Sequence, residues 1–401
     1  MMKRFLVLLN SLAFAGLIFA QQPVDYLLKA KAFIESGKSM EAISLLSEGL
    51  LKNKDYRFYI ERAEAYMAGG DYKSATADFQ SANALSISSG EYGLARISAL
   101  KGDAVSSLSH LETSINSPFK KSEKMIMLDA AFSLIENTPD WRQFWKKERY
   151  NTPEKKISEI EYYVSIGKTE DAGTVLNELT ADYSDDPNTR YAKAMVELSQ
   201  GKYNESTTIL TKLLDADKKN ETYLRLLAKA QSASANPSGA SQSYSELIDM
   251  GIADADLFIL RAECYNKTGE TEKAIKDITR FLDLYPENKA ALSFAGKIEA
   301  QSGDNLMALD YFSRNLKLHP NDPECYIDRG NAYFVSKTWD SAINDYSMAL
   351  DIQPANSDSW FNKGIALLNN GKTEDACHDF RTAMTLGNKK STGYINRFCI
   401  K

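Results

Sequence analysis

Gly167-Lys168-Thr169-Glu170-Asp171-Ala172 recurs unchanged as Gly371-Lys372-Thr373-Glu374-Asp375-Ala376, and the choice between two explanations of that recurrence decides the fold. Gly-Lys-Thr closes a phosphate-binding loop in which backbone amides and a lysine cradle the phosphates. That loop needs a glycine five residues upstream of its final Gly-Lys pair, and this chain has Tyr162 and Ala366 there. The other explanation is periodicity: the copies lie 204 residues apart, six periods of 34. A period of that size marks an array of short helical repeats.

Written in 34-residue lines from Pro153, the chain continues without insertion through Pro187, Glu221, Ala255, Lys289, Pro323 and Ser357. The eighth place holds Ile160, Ala194, Ala228, Ala262, Gly296, Gly330 and Gly364. The twentieth holds Ala172, Ser206, Ala240, Ala274, Ala308, Ala342 and Ala376, and the twenty-fourth Leu176, Leu210, Tyr244, Ile278, Phe312, Tyr346 and Phe380. Small residues at two places let antiparallel helices approach, and the bulky residue four positions later fills the gap on the same helical face. One hairpin cannot bury that face alone, so the pattern predicts a stack of helix pairs. Asp322-Pro323-Glu324 and Thr152-Pro153-Glu154 read as helix starts, with a cap, a proline in the first turn and an acid beside the dipole. Gly167, Gly201, Gly269, Gly303 and Gly371 fall where each first helix ends and positive φ is wanted.

The repeated residues resemble the tetratricopeptide repeat (TPR) family. Tyr326, Gly330, Tyr333, Ala342, Tyr346, Ala349 and Pro354 carry its pattern, as do Trp360, Gly364, Leu367, Ala376, Phe380 and Ala383. Glu197 and Gln231, where an aromatic is usual, and Ile160, where a small residue is usual, depart from it. Three less regular copies precede residue 119, marked by Ala30, Gly37 and Ala42, by Ala63, Tyr66, Gly70, Ala75 and Phe79, and by Ala95, Gly102 and Leu111. The resemblance implies an all-α solenoid of antiparallel helix pairs, about ten repeats in a right-handed superhelix, closed by a C-terminal capping helix. The expected organisation is a leader over 1–20, a repeat block over 21–118, an irregular helical joint over 119–152, seven repeats over 153–388 and a cap over 389–401.

By the same resemblance, places 2, 5, 9, 12 and 13 of each line face a ligand on the concave side. From residue 255 onward these include Asp256, Ile259, Glu263, Asn266, Lys267, Lys297, Glu324, Ile327, Asn331, Phe334, Phe361 and Ile365. Ile327, Phe334, Phe361 and Ile365 would form an apolar strip suited to a peptide's side chains; the alternative is that some of them face the neighbouring repeat. The chaperone-clamping subtype is set aside, because Asn331 and Asn362 match its asparagines while Ile327 stands where its lysine belongs. The chain's ending resembles that of secreted bacterial TPR proteins with paired cysteines, which implies a bridge from Cys377 to Cys399 across the cap. Sequence spacing leaves the bridged and reduced forms both open.

Met1-Met2-Lys3-Arg4, the apolar run Phe5 to Ala20 and the polar Gln21-Gln22 match a secretory signal peptide cleaved near Ala20, with an uncleaved anchor as the competing reading. A periplasmic or secreted location in a bacterial envelope is the expectation, with no membrane span after cleavage. The first cysteine is Cys264, too late for a lipid anchor. Acidic residues outnumber basic ones 54 to 48, and no Lys/Arg block exceeds a pair, which argues against a nucleic-acid binder.

In the joint, a helix is expected from about Ser122 to Ile135 and another from Thr138. The latter carries Trp141, Phe144 and Trp145 at i, i+3, i+4, favouring packing over an exposed anchor. His110, His319 and His378 are scattered, and no metal, nucleophile or calcium motif is present. The sequence therefore reads as a non-enzymatic scaffold without cofactor that binds a protein or peptide; a homo-oligomer is not indicated. An accessory role in envelope, outer-membrane or cell-wall assembly or secretion is the alternative, followed by a regulatory or catalytic protein with a cryptic site.

Overall fold

The computed structural model describes residues 22–400, so the expected leader lies outside the described residues. Among these the chain forms 23 α-helices and no strand, and none of the helices is long and apolar enough to cross a membrane. They divide into two compact units that meet in sequence between Phe119 and Lys120.

The first unit comprises α1 (Pro23–Glu35), α2 (Ser39–Lys52), α3 (Tyr56–Ala68), α4 (Tyr72–Leu85), α5 (Glu91–Leu100) and α6 (Ala104–Ile115). The second opens with α7 (Glu123–Leu128) and α8 (Pro139–Lys146). Hairpins follow: α9 (Thr152–Ser165) with α10 (Thr169–Tyr183), α11 (Pro187–Ser199) with α12 (Tyr203–Ala216), and α13 (Glu221–Ala233) with α14 (Pro237–Asp249). Next come α15 (Asp256–Thr268) with α16 (Thr271–Leu284), and α17 (Lys289–Ser302) with α18 (Asn305–Leu318). The last are α19 (Pro323–Val335) with α20 (Trp339–Ile352), α21 (Ser357–Asn369) with α22 (Thr373–Thr385), and then the single helix α23 (Ser391–Phe398). The second helices of the seven hairpins begin at 169, 203, 237, 271, 305, 339 and 373, each 34 residues after the last.

The packing code has a direct physical reading. Every residue at the eighth, twentieth and twenty-fourth places is buried. Where the eighth place is glycine, the twenty-fourth is aromatic: a Cβ on Gly296 would stand 2.5 Å from Phe312 Cε1, and one on Gly364 would stand 2.7 Å from Phe380 Cε1. Where the eighth place is Ala194 or Ala262, the partner shrinks to Leu210 or Ile278. Ile160, which departs from the family pattern, is fully buried beside Leu176 in the first hairpin's core. Gly167 and Gly371 take φ of 73° and 78°, so the shared hexapeptide makes the turn between paired helices, with Ala172 and Ala376 buried in them.

A polar contact accompanies the apolar one. The seventh residue of a repeat pairs with the twenty-third: Arg261 donates from Nε and Nη2 to Asp277 at 2.6 and 2.8 Å, and Arg329 to Asp345 at 2.8 and 2.7 Å. The first unit repeats it as Arg62 with Asp78, at 2.7 and 2.8 Å. In the last hairpin Lys363 stands 3.3 Å from Asp379. Burial pushes that carboxyl up and Lys363 pulls it back. The three arginine-paired aspartates are buried too.

The segment before α9 departs from expectation. The helix expected to reach Ile135 stops at Leu128, because the Asp129 side chain accepts from Ala131 N and opens a separate 3-10 turn over Ala130–Phe132. Trp141 and Phe144 on α8 are buried. Their rings continue a chain of contacts, Phe132 to Trp141 at 5.5 Å, Trp141 to Trp145 at 5.7 Å and Phe144 to Trp145 at 5.2 Å. These aromatics are packing residues.

At the other end α23 covers the final hairpin. Tyr394 lies 5.2 Å from Phe361 and 5.0 Å from Phe380, centroid to centroid, and a disulfide joins Cys377 on α22 to Cys399 just past α23.

Gly296→Ala sets a helix-propensity gain of about 1 kcal/mol against an overpacking cost of about 1–3 kcal/mol, because the Phe312 ring is buried and cannot retreat. Denaturant unfolding should show net destabilisation, and adding Phe312→Leu should recover stability beyond the sum of the single effects. Additive single effects would mean the two places do not set each other's size. Cys399→Ser should weaken docking of α23 by about 3 kcal/mol, read as faster amide exchange confined to α23. Unchanged exchange would show that Tyr394 and its neighbours suffice.

Candidate functional site

Burying places 8, 20 and 24 leaves other positions of each first helix turned out of the hairpin core. The residues expected on a binding face divide accordingly. On α15, Asp256, Glu263 and Lys267 are exposed while Ile259 and Asn266 are half-buried. Lys297 on α17 is exposed but ion-paired to Asp328 of α19 at 3.0 Å. On α19, Glu324 and Asn331 are exposed, and Asn331 Oδ1 accepts from the Tyr346 hydroxyl at 2.8 Å. Ile327 and Phe334 are half-buried, with Phe334 edge-on to Trp339 at 5.2 Å.

Phe361 is a correction. It is 8% exposed, because α23 lies over the last repeat and Tyr394 takes the space a ligand would need. Ile365, half-buried, packs into the same cluster. The apolar strip expected from Ile327 to Ile365 therefore ends at α19, and its last two members belong to the seal of the stack.

A hollow of about 430 Å³ lies elsewhere, where the first turns of α9, α11 and α13 line up. Glu154, Ile157 and Glu161 reach it from α9, Asn188 and Tyr191 from α11, and Thr222 and Tyr223 from α13. These are mostly places 2, 5 and 9 of their repeats. Tyr150 and Lys120 close one side.

Each helix start is fixed locally. Asn151 Oδ1 accepts from Glu154 N at 2.9 Å while Glu154 Oε2 accepts from Asn151 N at 2.8 Å, a reciprocal cap. Asp186 accepts from Thr189 N at 2.8 Å and Asn220 from Tyr223 N at 3.1 Å. Lys120 Nζ donates to Glu154 Oε1 at 2.7 Å and to the Arg149 carbonyl at 3.2 Å, and lies 4.3 Å over the Tyr150 ring.

The Tyr191 and Tyr223 rings face each other at 5.5 Å. Burial, then Glu161, then Tyr223 push the Tyr191 phenol up to about 12, and burial with Asp217 and Asp186 raises Tyr223. Glu161 remains in contact with solvent, yet the protein mass around the hollow pushes its carboxyl up, with Lys124 drawing it back. The site combines flat aromatic surface, hydroxyls and a carboxylate. Such a set is suited to contact and hydrogen bonding with a ligand. Sequence reasoning passed over this region because Glu197 and Gln231 make its lines look weak; Ile157 and Tyr191 at successive fifth places were the signal present.

Models of the tetratricopeptide repeat match residues 27–89, 267–323 and 345–378. DnaJ homolog subfamily C member 3 from Gallus gallus is 29% identical over 162 residues, 37% of this chain and 32% of that protein. The chain thus spans about a third of the length of the curated relatives it matches. Among solved structures, the C-terminal part of a TPR repeat-containing protein from Cytophaga hutchinsonii aligns with a TM-score of 0.50 at 16% identity, over 59% of this chain and 98% of that one. A tetratricopeptide repeat protein from Parabacteroides merdae aligns at 0.46 and 19%, over 61% and 98%. At these identities the structural likeness concerns the fold alone. The 34-residue hairpin period, the small-against-large packing code and the matched segments together identify the chain as a tetratricopeptide-repeat protein.

Proposed function

We propose that the chain is an exported, non-enzymatic scaffold that binds a protein or peptide partner on the first-helix face of its second unit. The observation that carries this reading is the hollow across α9, α11 and α13, where Tyr191 and Tyr223, whose rings pack into the stack, meet the polar groups of three helix starts. Their rings stabilise the stack, while their hydroxyls hydrogen-bond to no protein group among the described residues and so can meet another molecule. Ile327 and Phe334, half-buried on α19, extend the contact surface along the same set of helices.

Two features support export. The basic start and short apolar run of residues 1–20 have the form of a leader, and a disulfide at Cys377 and Cys399 persists in an oxidising compartment. A bacterial envelope, periplasmic or secreted, satisfies both.

Crosslinking of residues 21–401 in the native envelope fraction, mapped by mass spectrometry, should place contacts from one partner on the first helices between α9 and α19. Contacts confined to second helices, or recovery of the chain alone at every concentration tried, would overturn the scaffold reading.

A further inference from the structure

We propose that the hollow across α9, α11 and α13 takes an extended peptide segment carrying a lysine or arginine, its cation on Glu161 and its backbone against Tyr191 and Tyr223. This rests on the scaffold reading and adds the place and the chemistry of the ligand.

Three packed first helices, about 8–10 Å apart, set a groove on the order of 20 Å long. That is the reach of about six extended residues. An extended backbone offers a donor and an acceptor at nearly every residue. Among the described residues neither the Tyr191 nor the Tyr223 hydroxyl hydrogen-bonds to protein, and a phenol can donate or accept. Tyr223 is 8% exposed and Tyr191 half-buried, so the rings, 5.5 Å apart, offer edges and hydroxyls with few torsions to freeze on binding.

Charge selects among such segments. Two lysines, Lys120 and Lys121, line the hollow against three carboxylates, Glu154, Glu161 and Asp186; Lys120 and Glu154 pair at 2.7 Å. Asp186 is engaged in capping α11. The Glu161 carboxylate, by contrast, has no hydrogen bond or ion pair among the described residues. Lys124 acts on it only through space, with its Nζ 4.7 Å over the Tyr162 ring. Glu161 in turn acts on the Tyr191 phenol, and Asp217 and Asp186 act on Tyr223, so the field across the tyrosine pair is negative. A cation gains there and a carboxylate is repelled.

The test is selection of a random dodecapeptide library, displayed on phage, against residues 21–401, followed by titration of the enriched sequence as a labelled synthetic peptide. The enriched sequences should share a lysine or arginine. Glu161→Gln should weaken the synthetic peptide about tenfold, as expected for removing a charge-assisted contact. Tyr191→Phe and Tyr223→Phe, which keep the rings, should weaken it several-fold. Asp283→Asn, which removes an exposed carboxylate on the second helix α16, should leave affinity unchanged, and all four variants should melt with the parent chain.

Failure to enrich any sequence, an acidic or wholly apolar consensus, or full affinity for the Glu161→Gln chain would overturn the proposal. If peptide binding survives the groove variants and is lost on changing Ile327 or Phe334, the groove assignment fails while the scaffold reading stands. The absence of any crosslinked partner strikes at the scaffold reading itself.

Discussion

Contact between the eighth and twenty-fourth residues of a repeat is the constraint on which the rest of the structure depends. It fixes how closely the two helices of a hairpin approach, and each hairpin then presents a defined face to the next. The pair is conserved in combined size rather than in identity: glycine meets Phe312, Tyr346 or Phe380, and alanine meets Leu210 or Ile278. Interiors pack at crystal-like density, so a methyl added on one side must be removed on the other. That exchange explains how seven repeats with little other identity keep one period. Ala228 opposite Tyr244 shows the tolerance of the rule, since the buried tyrosine is accommodated without glycine.

The seventh-to-twenty-third ion pair works on a different degree of freedom. Apolar contact sets distance but leaves helix rotation loosely determined, whereas a guanidinium fork on a carboxylate fixes direction. Arg261 also donates to Ser245 Oγ of the preceding hairpin at 3.0 Å, and Arg62 donates likewise to Ser47 at 2.8 Å. One side chain thereby ties both helices of its own hairpin to the hairpin before it. Burying such a pair adds little net stability, but losing one partner leaves a buried charge unmatched, a cost of about 3–5 kcal/mol. The pair is therefore better understood as an orienting device than as a source of stability.

How much was legible in the sequence follows from which constraints are periodic. Helix pairing, turn glycines and buried places recur every 34 residues, so seven copies average out local ambiguity. The ion pair recurs as well, and went unread because it spans 16 residues and five of the seven repeats lack an arginine at that place. What happens once cannot be averaged. Asp129 ends α7 early by a single side-chain cap, and a run of good helix formers gave no warning of it. Phe361 looked like a ligand-facing residue by its place in the repeat, and becomes core only because α23 returns over that one hairpin.

The proposed ligand contact falls on places that the packing code leaves open. Packing determines places 8, 20 and 24, which are buried in all seven repeats. The fifth place is under no such rule: it holds Ile157, Tyr191, Arg225, Ile259, Ser293, Ile327 and Phe361 in successive repeats. Freedom of that kind lets each repeat differ on its first-helix face while keeping the same packing code. Two of the seven fifth places are already used internally: Phe361 lies beneath α23, and Arg225 pairs with Glu221 and Asp254. A third, Ser293, donates to Asp328 of the next first helix. Ile157 and Tyr191 are adjacent in the series and pack into the stack, and with Tyr223 they line the hollow, where among the described residues the two phenol hydroxyls and the Glu161 carboxylate have no hydrogen-bond partner.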